Sequence, residues 1–590
     1  MKKALAIVLA FLMVLCLFAA CGEKKAETNT GTGNNTTNTQ TNTQTNTGTQ
    51  QGESTVKVNE QGVAEANRST VGMDYPSYVE LTPDQINPSD KTLHIAFSAE
   101  PPSCNPLISG QGVAMYSTVY MFDTLLQYNS KTSELIPWLA TEWEWIEDTV
   151  LRVKVRDDVY SHAGDHYTAN DTMYSLQWGN DCAALATYVS SVIDIDRCKV
   201  VDDYTIDIAV KSPNPFFVYE LARICYVQVV GKTVEDMGGR DSVQVMDAND
   251  YSTGPYCITS WEKGQVMHTV RNENWWNKVT PYYAGIDVFY VTDGSTRAMG
   301  IEAGDYDFDG EATLSLVFDA MKDDTDAING YVSETYSMMN FVFNSNHEIF
   351  QNKALRQAIA LAVNYDAVNE IVFGGKAIPA TSIIAHSLAW YYAADEGEEE
   401  YCHNDVEAAK AKLVEAGYPN GFTFDMIYHG GNQSVIKAAE VIQSNLKEAG
   451  ITCNCSPLEP AVFNETIRTD NWDCYCTINP GSSPLRSLVK VDPALTHGQA
   501  TGSCGTNWYD GPGGNEYITE LVNDCLYNPD LNASAPSYEK IQDIVREYVP
   551  FFAISETISG GLCKPDIVNI EMYYGGNPFY TSIYEADYLK

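Results

Sequence analysis

Positive charge is what this 590-residue chain has least of: 36 Lys and Arg stand against 78 Asp and Glu, a formal charge of −42. A field of that sign repels a phosphate backbone and excludes nucleic acid as a partner. It decides little else, because a solvated acidic face is an ordinary route to solubility. Histidine is scarce as well, with nine in all, and His162 and His166 sit in a stretch read as a turn. A histidine-held nickel or haem is therefore a weaker expectation. No G-x-S-x-G elbow, H-E-x-x-H helix or G-x-x-x-x-G-K-[ST] loop occurs. Three common enzyme signatures are thereby absent, and no catalytic residue, metal ligand or cofactor is assigned. A carboxylate pair for glycoside hydrolysis is not excluded, because acids are many. There is no heptad run, no tandem repeat and no second apolar span of membrane length.

What is present begins with an export signal over residues 1–20. Lys2-Lys3 makes a short basic start, Ala4 to Ala20 is apolar, and Ala19-Ala20 precedes Cys21. Small residues before a Cys resemble the bacterial lipobox, with Phe18 where Leu is usual. Cleavage leaves Cys21 as the N-terminus and the lipidation site, where each buried methylene of an acyl chain adds about 0.8 kcal/mol of membrane affinity. From Cys21 to residue 88 runs a flexible tether, rich at first in Thr, Asn and Gln. It lacks the apolar surface to offset its ordering entropy and reaches on the order of 40 Å. Fifteen cysteines occur. Once Cys16 and Cys21 are set aside the rest are odd in number and cannot all pair. Buried free thiols are the expected state. Cys453-Asn454-Cys455 and Cys474-Tyr475-Cys476 each put two thiols on one face of a strand. Neighbouring strands would bring four sulfurs together for zinc, an arrangement ranked below core packing or a disulfide.

The body alternates strand and helix patterns, which argues for an α/β protein. Leu93–Phe97, Leu151–Arg156 and Tyr204–Val210 have period two. Ala354–Ile371, Asn404–Ala416 and Val435–Ala449 carry one apolar face each, and glycines follow the last two.

Eight blocks then occur in a familiar order. Tyr120–Leu126 precedes Pro137-Trp138-Leu139-Ala140-Thr141-Glu142-Trp143, and Arg156–Thr172 contains Gly164, Thr168, Ala169 and Asp171. Ser252-Thr253-Gly254-Pro255-Tyr256, Arg271–Trp276 and Gly304 with Asp307 follow. Phe343-Asn344 with Phe350 and Leu355-Arg356-Gln357-Ala358 comes next, and Glu415–Phe422 closes the set. Together they resemble family 5 of the bacterial extracellular solute-binding proteins, the oligopeptide-, dipeptide- and nickel-binding group. Most blocks also have a plain structural reading: Thr168 as a helix N-cap, Gly254-Pro255 as a turn, Arg356 as the partner of a carboxylate.

The resemblance implies a two-lobe, type II periplasmic-binding-protein-like fold with the ligand cleft between lobes. Lobe I would comprise 89–120, 251–343 and 556–590, with an extra subdomain at 121–250. Lobe II would be 344–555, with the hinge at Phe343-Asn344 and Phe552-Ala553. It also implies a lipid-anchored, outward-facing, monomeric protein that closes on a peptide and delivers it to the permease subunits of an ABC importer. An oligosaccharide or other small solute, and a surface receptor on the same fold, stay open; a hydrolase ranks last. The candidate ligand wall on lobe I is the loop holding Ser98, Glu100, Pro102 and Asn105, with Tyr256 close by. Asn344 stands at the crossing, and Thr477, Asn479 and Ser482 form the opposite wall. In peptide binders of the family an Asp in that last region pairs with the ligand ammonium. No acid occurs here between Asp473 and Asp492. Another acid, Glu100 among them, a sugar or a modified peptide are the alternatives.

Mass spectrometry of the native N-terminus should find an acylated Cys21, and Cys21→Ala should move the protein from the membrane fraction to the medium. Retention of that variant through an uncleaved apolar segment would overturn the lipobox reading.

Overall fold

Strands form where side chains alternate, because successive residues leave a strand on opposite faces. The computed structural model describes residues 90–108, 118–128, 135–185, 189–277, 283–322, 327–380, 382–385, 403–479, 485–497, 502–528, 531–565, 567–568 and 587–588. Cys21, the tether, Cys402 and Ser482 lie outside them. β1 (Thr92–Phe97) is followed by a short pair, β2 (Leu126–Tyr128) and β3 (Leu135–Pro137). A separate sheet comes next, built from β4 (Ala140–Glu147), β5 (Val150–Val155), β6 (Lys199–Asp202) and β7 (Thr205–Ala209) in the order β4-β5-β7-β6. It has a core of its own, including Leu151, Val153, Ile206 and Ile208.

The main sheet takes the remaining large strands. These are β8 (Tyr256–Glu262), β9 (Val266–Arg271), β10 (Gly285–Tyr290), β11 (Phe308–Asp309) and the long β12 (Asn329–Phe343). Then come β13 (Ile378–Pro379), β14 (Thr423–His429), β15 (Thr452–Leu458), β16 (Cys474–Asn479) and β17 (Phe551–Cys563). Their order is β15-β14-β16-β12-β17-β11-β1-β10-β9-β8, with β13 on β17. β12 and β17 join the two ends of this path. β17 pairs with β11 at Phe308↔Cys563, and β12 pairs with β16 from Met338 to Phe343.

The β12–β17 ladder breaks register between Glu334 and Met338, and again between Met339 and Asn340. Thr335 Oγ1 stitches the first break, lying 2.9 Å from both the carbonyl and the hydroxyl oxygen of Thr557. Thr557 Oγ1 donates in turn to the Ser337 carbonyl at 3.1 Å. The pairs Phe341↔Phe552 and Val342↔Phe551 lie beyond both breaks, inside the ladder. The crossings expected near Phe343-Asn344 and Phe552-Ala553 fall at the end of β12 and beside the second break, where Asn340 pairs with Ala553.

The helix expected over Ala354–Ile371 is two helices, Lys353–Ala362 and Tyr365–Phe373. Val363 is extended, and the Asn364 side chain accepts the Ala367 amide as an N-cap, which starts a new helix. The other two occur as Val406–Glu415 and Gln433–Glu448. Thr168 does cap its helix, in a capping box with Asp171.

Arg356 differs from expectation. It is fully buried, and its guanidinium donates to the carbonyls of Phe350, Gln351, Trp508, Tyr548 and Val549. A planar fork with five donors suits a cluster of carbonyls as well as it suits a carboxylate. Burial pushes its pKa down to about 10. Its bonds hold the turn into β17, where Val549 adopts φ 48°, strained for a β-branched residue.

The twelve described cysteines are free thiols, eight of them buried. β14 separates β15 from β16, so the two Cys-x-Cys pairs are not on neighbouring strands. Cys453 and Cys455 lie Sγ to Sγ at 3.6 Å. No group of three or more metal-binding side chains forms among the described residues.

Four of the sequence blocks converge on one carboxylate. Asp123, fully buried, accepts from Trp138 Nε1 at 2.7 Å, Trp276 Nε1 at 2.9 Å, Thr253 Oγ1 at 2.8 Å and Trp275 Nε1 at 3.5 Å. Beside it, a Cβ on Gly254 would collide with the Met121 carbonyl, so only glycine fits. Burial raises the Asp123 carboxyl from 3.8 to about 6 against the pull of its four donors. A folded pKa above the unfolded one means stability present below about pH 4 is lost as pH rises through about 6. The shift corresponds to about 3 kcal/mol. Urea unfolding should therefore show Asp123→Asn gaining about that much on the wild type between pH 4 and 7. A constant difference across this range would refute the assignment.

Candidate functional site

β1 runs parallel to both β10 and β11, so the carboxyl ends of these strands lie side by side. In open α/β sheets, ligands bind beyond such ends. Ser98 follows β1 directly, and its amide donates to Glu311 Oε2 at 3.0 Å. Glu311 lies two residues past β11 and is half-buried. Glu100, also half-buried, accepts the Gly264 amide at 2.9 Å and ties this loop to the β8–β9 hairpin. Pro102 is exposed. Asn105 and Tyr256 face inward and are fully buried. Asn105 Oδ1 accepts the Leu107 amide at 2.9 Å, and the Tyr256 hydroxyl donates to the Tyr283 carbonyl at 3.3 Å.

Beneath Glu311 lies a buried ion pair, Arg297 Nε to Asp309 Oδ2 at 2.8 Å. Arg297 also donates to the carbonyls of Val291, Thr292 and Glu311. Asp309 Oδ1 accepts the Glu311 amide at 2.9 Å. Burial pushes both carboxyls up, Asp309 against the nearby Arg297 and Glu311 against its bonds from Ser98.

The other wall comes from β16, β12 and β17. Thr477 pairs with Asn340, and Asn479 with Met338. Asn479 Nδ2, Asn340 Oδ1 and Ser555 Oγ are buried and have no hydrogen-bond partner among the described residues. Such atoms cost about 1–3 kcal/mol each when left unmet, so a group from outside the protein gains by meeting them. Asn344 is different: Nδ2 donates to the Trp472 carbonyl at 2.9 Å and Oδ1 accepts the Asn346 amide at 3.1 Å. It fixes the exit of β12 against the entry of β16.

The structure thus brings Thr477 and Asn479 together near the register break, and Ser98 to the end of β11. Asn340, Ser555 and Glu311 were not among the sequence candidates. Asn340 had a signal, an amide within the apolar run Met338-Met339-Asn340-Phe341-Val342-Phe343. Glu311 had a weaker one, an acid following Asp307, Asp309 and Gly310.

Residues 134–487 match the family model described as bacterial extracellular solute-binding proteins, family 5 Middle. The chain belongs to that family. Among curated relatives, the probable ABC transporter periplasmic-binding protein SapA of Escherichia coli is 21% identical over 511 residues, 81% of this chain and 90% of SapA. Among solved structures, a putative peptide binding protein AppA from Clostridium difficile superposes with a TM-score of 0.72 at 18% identity. It covers 85% of this chain and all of AppA. DppA from Helicobacter pylori, in complex with the peptide STSA, superposes at 0.64 with 19% identity, covering 85% of this chain and 98% of DppA. The fold of this solute-binding protein is accordingly the two-lobe one of periplasmic binding proteins.

Removing one partner from a buried ion pair leaves an uncompensated charge. Asp309→Asn should therefore lose about 3–5 kcal/mol in urea unfolding. Adding Arg297→Met should return most of it. A double variant no better than the single would count against the pair as the cause.

Proposed function

We propose that this chain is an outward-facing lipoprotein, held at the cell membrane by acylated Cys21, that captures a peptide or peptide-like solute. It closes two lobes on the cargo and hands it, as a monomer and without chemistry, to the permease of an ABC importer. The observation that carries the reading is the break in the β12–β17 ladder, crossed by Thr335 and Thr557 hydroxyls. A bulged ladder has lost regular backbone bonds, so bending there costs least. Unmet polar atoms on Asn340, Asn479 and Ser555 stand beside it. We place the hinge at Thr335–Ser337 and Ser555–Thr557. Lobe I then holds the ends of β1 and β11, lobe II holds β14 to β16, and the four-stranded sheet within 121–250 is the extra subdomain. Cargo favours the closed state by its higher affinity for it. Supporting the cargo class are the peptide complex of DppA and the name of AppA.

Small peptides should raise the melting temperature and shrink the radius of gyration in small-angle scattering. At 100 times the dissociation constant the stabilisation should be about 2.7 kcal/mol. Stabilisation by sugars or metal ions alone would remove the peptide reading.

A further inference from the structure

Resting on that reading, we infer that Glu311 is the cation anchor of the cleft, and that the cargo carries a positively charged nitrogen bound against lobe I. An α-ammonium or a basic side chain has the required chemistry. The argument begins with placement. Glu311 stands beyond the carboxyl ends of the parallel strands β1 and β11 and is half-buried. Its backbone is fixed on both sides, the amide by Asp309 and the carbonyl by Arg297.

Charge gives the second step. Arg297 is the adjacent cation, yet its Nε is taken by Asp309 and its remaining bonds go to carbonyls. No cation lies within ion-pair distance of the Glu311 carboxylate among the described residues, and Ser98 donates to it. A carboxylate partly removed from water without a counter-charge is costly, and a ligand ammonium offsets that cost. Closure expels water and strengthens the attraction further. Burial already pushes this carboxyl upward, in keeping with a group awaiting a counter-charge.

Elimination gives the third. In lobe II, Asp473 accepts from His347 at 3.0 Å and from the Asp425 amide at 3.0 Å. Asp470 accepts from Asn346 at 2.8 Å, and Asp492 from Thr519 at 2.7 Å. In lobe I, Asp307 holds Lys564 at 2.6 Å, and Glu100 is turned to the Gly264 amide. Asp473, Asp470, Asp492 and Asp307 are thus engaged within their own lobes, whereas Glu100, like Glu311, accepts one backbone amide.

The test uses three synthetic libraries of tri- to pentapeptides: free amino termini with neutral side chains, N-acetylated with Lys and Arg, and N-acetylated with neutral side chains. Retention on the full-length protein is read by mass spectrometry. The wild type should retain one of the charged libraries over the neutral one by at least about thirtyfold, the lower end for losing one partner of a buried charge pair. Glu311→Gln should cut that preference to within about threefold while its urea midpoint stays near wild type. Glu311→Asp, which keeps the charge, should retain the preference at lower affinity, and it decides the matter if the Gln variant does not fold. An undiminished preference in Glu311→Gln, or equal retention of the neutral library by the wild type, overturns the anchor. Retention of no library by the wild type overturns instead the peptide reading on which the anchor rests.

Discussion

The pairing of β12 with β17 is the constraint on which the rest depends. These two strands lie side by side in the middle of the main sheet and join its two halves, so every other strand is positioned relative to them. Extended backbone carries a donor and an acceptor at each residue, and both must be paired when buried. A regular ladder meets that demand but resists bending. This ladder breaks register at Glu334/Met338, and there threonine hydroxyls supply bonds that the backbone does not. Hydrogen bonding thereby continues across the break in register.

Two fully buried charged side chains, Asp123 and Arg356, tie distant segments together. Asp123 gathers three tryptophans and a threonine from distant parts of the sequence. Arg356 gathers five carbonyls, from the loop before its helix, the loop at Trp508 and the turn into β17. Each is a single ionised side chain doing the work of many short bonds. Their burial explains why the motif blocks are tied together. The blocks contribute donors and acceptors to common centres, so they identify a fold and leave the cargo unstated.

The sulfur-rich strands make a related point. Cys453, Cys474 and Cys476 are buried among apolar side chains of the same core as Met426 and Phe424. Thiols of this kind behave as small hydrophobes, their ionisation opposed by desolvation, as burial pushes Cys476 up to about 12. Spacing along a strand told which sulfurs share a face. Strand order told which faces are adjacent, and β14 intervened.

The sequence by itself determined the local elements and the family. Period-two alternation placed β1, β5 and β7, Thr168 marked a helix start, and the glycines after Ala416 and Ala449 marked helix ends. These features depend on neighbours a few residues apart, whose geometry is fixed by the backbone. The family rests on the order of the blocks, which is also a linear property. Tertiary structure alone decided what Arg356 binds, where the long ladder loses register and which polar atoms are left unspent. It decided too that Tyr256 and Asn344 bond within the protein, whereas Asn340 and Ser555 keep unmet polar atoms among the described residues. Each of these turns on a partner far away in the chain. Glu311 meets Ser98 across 213 residues, and Thr335 meets Thr557 across 222. Hydrogen bonding and desolvation act over a few ångströms of space, and one-dimensional order does not record which residues come that close.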